Sequence, residues 1–315
     1  MSLPNWYSQY LEKALLVNER KIFFVTGCQK SGTTWVQRLL NSHPQIACGG
    51  EGHIADHLKP LAKKLIAEYN AKQVCRRDVD LEVNLGDADE ITILKLLSDR
   101  ILAQYLQREE KPDSIRAIGD KTPENACLPE VLECLYPEAK FIHVIRDGRD
   151  AAVSGWAHLS RMGDSGYFTS FAEYAGYFAT QHWSGYIRRM RAYAAKAPDR
   201  YLELKYEELH VNPREHMCRV MTFLGVDADM ASLEQCCRGG SFEFLSKGRQ
   251  RGEEDRNSFF RKGVVGEWKK VFDDEAIRQF QANADGWIEI LGYEPFESMS
   301  HSDDAMASES KSLPA

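Results

Sequence analysis

Residues 21–35 run Lys-Ile-Phe-Phe-Val-Thr-Gly-Cys-Gln-Lys-Ser-Gly-Thr-Thr-Trp, and their reading decides the fold. The apolar run Lys21–Thr26 is β-rich, short, and ends at Gly27, as a buried parallel strand does. A loop holding Gly27 and Gly32 follows. An amphipathic stretch through Trp35, Val36, Leu39 and Leu40 then predicts a helix. Strand, glycine loop and helix in that order gather backbone N–H groups at a helix N-terminus, where phosphate or sulfate binds. The glycines have the Walker A spacing G-x-x-x-x-G-K-[ST], but the lysine is displaced. Thr33 stands where the Walker lysine belongs, and Lys30 lies inside the loop. Spacing alone is equally compatible with a tight turn carrying a solvated lysine. The full Lys-Ser-Gly-Thr-Thr-Trp string after a buried strand weighs against that.

Working outward, further strands are expected at Ile115–Ile118, Ala139–Ile145 and Tyr201–Leu204, each followed by a helical pattern. Strands alternating with helices predict an α/β fold with a P-loop-like central parallel sheet flanked by helices on both faces. A first helix is expected from about Pro4 to Asn18. Residues 1–296 read as a single domain with a helical, polar insertion at about 51–111 and a mobile loop at about 237–258. The Ser-rich stretch 297–315 reads as a disordered tail.

Composition limits the partners. The 315 residues carry 40 Lys and Arg against 47 Asp and Glu, a net charge of −7, whereas nucleic-acid binders present a basic face. No apolar stretch approaches the roughly 20 residues of a membrane span, and the N-terminal sequence lacks the pattern of a signal peptide; a cytoplasmic location is expected. The eight cysteines form no C-x-x-C pair and no metal-ligand pattern, so no metal site is expected. They read as scattered thiols, with Cys236–Cys237 as the one pair whose adjacency leaves a redox role open.

The displaced lysine has a chemical reading. A sulfuryl group in transfer carries less negative charge than a phosphoryl group, so a divalent metal is less necessary, and a lysine beside the bridging oxygen can stabilise the leaving group. Gly27–Trp35 resembles the 5′-phosphosulfate-binding loop of sulfotransferases that use 3′-phosphoadenosine 5′-phosphosulfate (PAPS, whose product is PAP). The resemblance implies Lys30 as the catalytic lysine, with Gly27, Gln29, Ser31, Gly32, Thr33 and Thr34 binding the co-substrate.

Three further segments are similar to the same family, in its order. Phe141–Trp156, reading FIHVIRDGRDAAVSGW, resembles the 3′-phosphate-binding segment and implies Arg146 and Ser154 as ligands; a strand-end arginine paired with Asp147 or Asp150 is the plain alternative. Phe260–Trp268 resembles the R-K-G-x-x-G-x-W segment of cytosolic sulfotransferases and implies Arg261, Lys262 and Gly263. Lys205–Glu208 with Asn212-Pro213 resembles the stretch that brings a tyrosine, here Tyr206, near adenine; the alternative for Tyr206 is a core residue.

A base must take the proton of the attacking hydroxyl. Cytosolic relatives use a lysine-threonine-histidine string, but here the string is Lys121-Thr122-Pro123. Glu51-Gly-His53-Ile-Ala-Asp56 is similar in spacing to heparan sulfate 3-O-sulfotransferases, and a glutamate here also resembles the tyrosylprotein enzymes. Glu51 is therefore the expected base, with His53 as orienting partner or alternative base and Asp120 in reserve. His57, His143 and His158 are expected to be structural. Tyr167, Phe168, Phe171, Tyr174 and Tyr177 line either an acceptor channel or a core.

The implied reaction is in-line sulfuryl transfer from PAPS to an acceptor alcohol: a sugar, lipid, natural product or carrier-bound acyl chain. A P-loop kinase-like phosphotransferase, with Asp147 holding Mg²⁺, and a catalytically silent nucleotide-binding regulator are the alternatives.

Overall fold

The computed structural model describes residues 5–73 and 83–296; the expected tail at 297–315 and Cys75 lie outside them. These residues sort into two compact units. The first lies within Met1–Arg146 and Tyr186–Val265, the second within Asp147–Gly185 and Gly266–Ala315.

The first unit holds the sheet. Helix α1 (Asn5–Asn18) precedes β1 (Lys21–Gly27), α2 (Thr33–Asn41) and β2 (Ile46–Gly50). Then come α3 (Lys59–Gln73), α4 (Asp87–Gln107), β3 (Ala117–Lys121), α5 (Pro129–Leu135) and β4 (Lys140–Ile145). The chain leaves through α6 (Gly148–Met162) and α7 (Phe171–Phe178). It returns along α8 (Gly185–Lys196) to β5 (Tyr201–Lys205), α9 (Tyr206–Val211), α10 (Pro213–Leu224), α11 (Met230–Gly239) and the single turn α12 (Phe242–Leu245). Helices α13 (Asp274–Asn283) and α14 (Trp287–Ile290) belong to the second unit.

The five strands are all parallel, in the order β2-β3-β1-β4-β5. Alternation along β1 divides the core. Phe23 and Val25 face a layer of α2, α10 and α11 containing Val36, Leu39, Leu40, Val220, Met221 and Leu233. Phe24 points the other way and packs on Tyr136 and Phe141, and Phe141 meets Tyr193 of α8 edge-on at 4.8 Å. Both faces of the sheet are covered, which is why the inner strands β1 and β4 read as near-continuous apolar runs.

Parallel strands place all their C-terminal ends on one edge, where ligands of open α/β sheets bind. Register sets Gly27 beside Val144, Gly50 beside Lys121 and Ile145 beside Lys205. The residues that follow the five strands are the phosphate loop, Glu51, Thr122, Arg146 and Tyr206.

Two expectations need correction. Strand β2 was not expected: Ile-Ala-Cys-Gly-Gly is short and ends in glycines, and its place comes from pairing with β3. The stretch 237–258 is not loop from its start, because α11 runs to Gly239 and Ser241 caps α12 by accepting from the Phe244 amide. Cys236 is fully buried in the main core, and burial with the neighbouring Cys237 pushes its thiol up to about 12. Both thiols are free, and nothing in this environment makes either reactive.

Candidate active site

The phosphate loop is shaped by backbone. Ser31 N–H donates to Cys28 O (3.1 Å), and Val36 N–H to Gly32 O (3.0 Å). Gly32 caps α2 with φ of +100°, and a Cβ there would lie 2.6 Å from the Tyr206 ring. Only glycine fits, and with no capping side chain the first N–H groups of α2 are offered to an anion. Ser31 Oγ lies in this loop, fully buried and without a hydrogen-bond partner. A hydroxyl left so costs stability unless a ligand meets it. Lys30 holds a φ of +65°, and its Nζ sits 4.8 Å from the Phe259 ring centroid. Thr33 is buried, Thr34 half-buried, and Gln29 is exposed and donates to Glu124 (2.5 Å).

Arg146 follows β4 and binds the loop to a distant segment. One Nη donates to Lys30 O (3.3 Å) and the other to Val264 O (3.1 Å), and the guanidinium lies 4.5 Å from the Tyr206 ring centroid. Trp35 meets Tyr206 edge-on at 5.2 Å. Arg261 pairs with Glu254 (2.6 Å), and Gly263 lies against Phe242, where a Cβ would come within 2.5 Å. The structure thus brings Lys30, Arg146, Tyr206 and the 261–264 segment into one neighbourhood of the first unit. Ser154 lies in the second unit, half-buried in the middle of α6.

Asp147 and Asp150 serve that second unit. Asp147 caps α6 and pairs with Arg149 (2.7 Å), while Asp150 accepts from the Gly266 and Trp268 amides. Phe168, Phe171 and Tyr174 pack with Trp156 and Phe272 in an aromatic core. Tyr167 and Tyr177 are exposed.

Glu51 follows β2 and is held by one residue of the neighbouring strand. Its N–H donates to Lys121 O (2.7 Å), extending the β2–β3 ladder, and its carboxylate accepts from Lys121 Nζ (2.5 Å). Burial pushes the Glu51 carboxyl up, but the hydrogen bond and charge of Lys121, with the charges of His53 and Lys30, outweigh it and hold it below the ordinary range. The carboxylate is therefore ionised at neutral pH. Glu51 (φ +57°) and His53 (φ +47°) join Lys30 among the few described non-glycine residues with positive φ, strain that concentrates at working sites.

Asp120 is the hub beneath this loop. Fully buried, it accepts from Gly52 N–H (2.8 Å), Tyr105 OH (2.9 Å), Thr122 Oγ1 (2.7 Å) and Asn125 Nδ2 (3.3 Å). A carboxylate so occupied cannot reach a substrate, which removes it as a reserve base.

His53 donates its backbone N–H to Thr122 Oγ1 (3.4 Å), and its Nδ1 lies 2.8 Å from Asp56. His57, expected to be structural, is exposed and stacks on the His53 ring at 4.2 Å. Donor atoms of His53, Asp56 and His57 lie within 4.8 Å of one another, the arrangement among the described residues that could hold a cation. The rings are 14° from parallel, so their in-plane lone pairs would have to converge before sharing an ion. His143 is fully buried against Tyr201 OH (2.8 Å), burial pushing its imidazole down to about 4, and His158 pairs with Arg161.

Of the β3 residues, Asp120 was read only as a reserve base and Lys121 had no role of its own. Lys121 was quoted only as part of a string, and its grip on Glu51 becomes visible once β2 pairs with β3.

A sulfotransferase family model matches residues 23–230, from the first buried strand to the start of α11. The chain belongs to the sulfotransferase family. It is similar to protein-tyrosine sulfotransferase 1 of Danio rerio, 26% identical over 65% of this chain and 53% of that protein, so it spans about half of that relative. It is also similar to sulfotransferase 1B1 of Mus musculus, 23% identical over 82% of this chain and 79% of the other. Among solved structures, mouse SULT7A1 complexed with PAP matches with a TM-score of 0.52 at 20% identity, over 96% of this chain and 94% of that one. That likeness is one of fold. Among the described residues no helix is long and apolar enough to cross a membrane.

Proposed function

We propose that this sulfotransferase moves a sulfuryl group from PAPS to an acceptor hydroxyl by in-line displacement. The observation that carries the reading is the buried, unpartnered Ser31 Oγ in a glycine-capped loop beside Lys30. These groups suit a compact anion at the 5′ end of a nucleotide. Lys30, Ser31, Gly32, Thr33 and Thr34 would hold that end. Arg146, Arg261, Lys262 and Gly263 would hold the 3′-phosphate, with Tyr206 beside the base. PAPS supplies an activated sulfuryl group on a phosphosulfate anhydride.

The protein's own part is acid–base and electrostatic. Glu51, ionised and aimed by Lys121, takes the acceptor proton as the new O–S bond forms. Lys30 stabilises charge on the bridging oxygen as the old S–O bond breaks. His53, tied to Asp56, orients the acceptor or shares the proton. The acceptor is an alcohol, with sugar, lipid, natural product or carrier-bound acyl chain all compatible. The kinase alternative is disfavoured by Asp147, whose carboxylate is used to cap α6 and pair with Arg149.

Label transfer tests this reading: ³⁵S-labelled PAPS or γ-labelled ATP is offered with a panel of alcohols, with and without a chelator. Transfer from PAPS that survives chelation is expected, and transfer from ATP alone would replace the reading with a kinase.

A further inference from the structure

The segment carrying Arg261, Lys262 and Gly263 has little apolar support. After α12 it contains no helix or strand before Val265, and Phe259, its large apolar side chain facing Lys30, is 52% exposed. Its shape comes from the half-buried Arg249. One Nη donates to Glu253 O (3.0 Å) and Arg261 O (2.9 Å); the other donates to Ser258 Oγ (2.9 Å) and Phe260 O (2.7 Å). The guanidinium lies 5.5 Å from the ring of Phe242, the side chain on which Gly263 rests. Two backbone bonds close the same ring of residues: Gly252 N–H to Lys262 O (2.9 Å) and Asp255 N–H to Arg261 O (3.0 Å). Beyond it, Val264 O accepts from Arg146, which also holds Lys30 O.

We infer that Arg249 is a positioning residue for the nucleotide. Its four hydrogen bonds fold residues 249–261 into the form that sets the Arg261–Val264 backbone against Phe242 and Arg146. A planar fork of donors can span four acceptors in this way, and an ammonium cannot. Arg249 spends its donors on carbonyls and a hydroxyl of its own loop, so it acts through Arg261 and Lys262 and touches neither reactant. This role rests on the donor reading above.

The test compares the parent protein with Arg249→Ala and Arg249→Lys. Calorimetry with PAP and steady-state kinetics with PAPS are read beside amide hydrogen exchange of residues 250–262. Arg249→Ala is expected to raise the PAP Kd and the PAPS KM at least about tenfold. Turnover at saturating PAPS and the acceptor KM stay within about threefold, and the Gly252 and Asp255 amides lose protection. Arg249→Lys recovers little, and it carries the comparison if the alanine variant does not fold. An unchanged PAP Kd, or a loss shared equally by turnover and acceptor KM, overturns the role. If the parent binds no PAP, the donor reading fails; the Arg249 role then falls too if exchange across 250–262 is the same in parent and variant.

Discussion

The loops that follow β1 and β2, at 27–35 and 50–58, share one edge of the sheet with β3 between their strands, yet they are built in opposite ways. The first closes on itself: Ser31 bonds Cys28, Val36 bonds Gly32, and Gly32 supplies the conformation a side chain would forbid. The second is shaped from outside. Glu51, Gly52 and His53 are held by Lys121, Asp120 and Thr122, about 70 residues further along the chain. Anion binding can be encoded in a short run of backbone. Aiming a base requires a neighbour with a side chain of its own, and strand pairing supplies it.

The largest effects should fall on the two residues that meet the chemistry. Lys30→Ala and Glu51→Gln are each expected to lower kcat about 10²- to 10³-fold, with unfolding temperatures near the parent's. Full turnover in either would remove its role and break the comparison at its centre.

Next, the two loops should differ in what their buried polar groups do for folding. Asp120→Ala strands four donors and should cost about 3 kcal/mol or more in denaturant unfolding. Ser31→Ala removes a hydroxyl with no partner, so it should change stability by less than about 1 kcal/mol while weakening PAP binding. Equal costs would erase the distinction between a self-closed loop and a borrowed one.

A smaller effect concerns pH. Glu51 must be ionised to accept a proton, and Lys121 holds its carboxyl below the ordinary range. The acid limb of kcat/KM should therefore lie below the usual glutamate value, with activity lost only as pH falls through it. In Lys121→Met burial acts unopposed by the lysine, and the limb should move up. A limb that stays in place would show that Lys121 does not set the base. Smallest of all, Glu254→Gln frees Arg261 from a partly exposed pair and should tighten PAP binding about two- to fivefold.

How much of this was legible depended on the range of the interactions. The phosphate loop could be read because Gly27, Lys30, Gly32 and the run before them are contiguous, and four of the five strands because each carries enough apolar residues to mark it, although β5 at the sheet edge is mostly half-buried. Strand β2 was missed, since glycines at its end weaken the pattern and its place is fixed by β3. Glu51 and His53 were found through residue type and spacing, but the network of Asp120, Lys121, Tyr105 and Asn125 beneath them has no local signature. Arg249 was hidden for the same reason, lying in a polar stretch whose hydrogen bonds are made only when the loop closes.

The most direct test of the central claim is calorimetry of the parent protein with PAP and with ADP, each with and without Mg²⁺. The account predicts PAP binding that does not depend on Mg²⁺ and is roughly a hundredfold tighter than ADP, the difference coming from the 3′-phosphate on its arginines. Equal affinity for the two nucleotides, or binding that appears only with Mg²⁺, would contradict it.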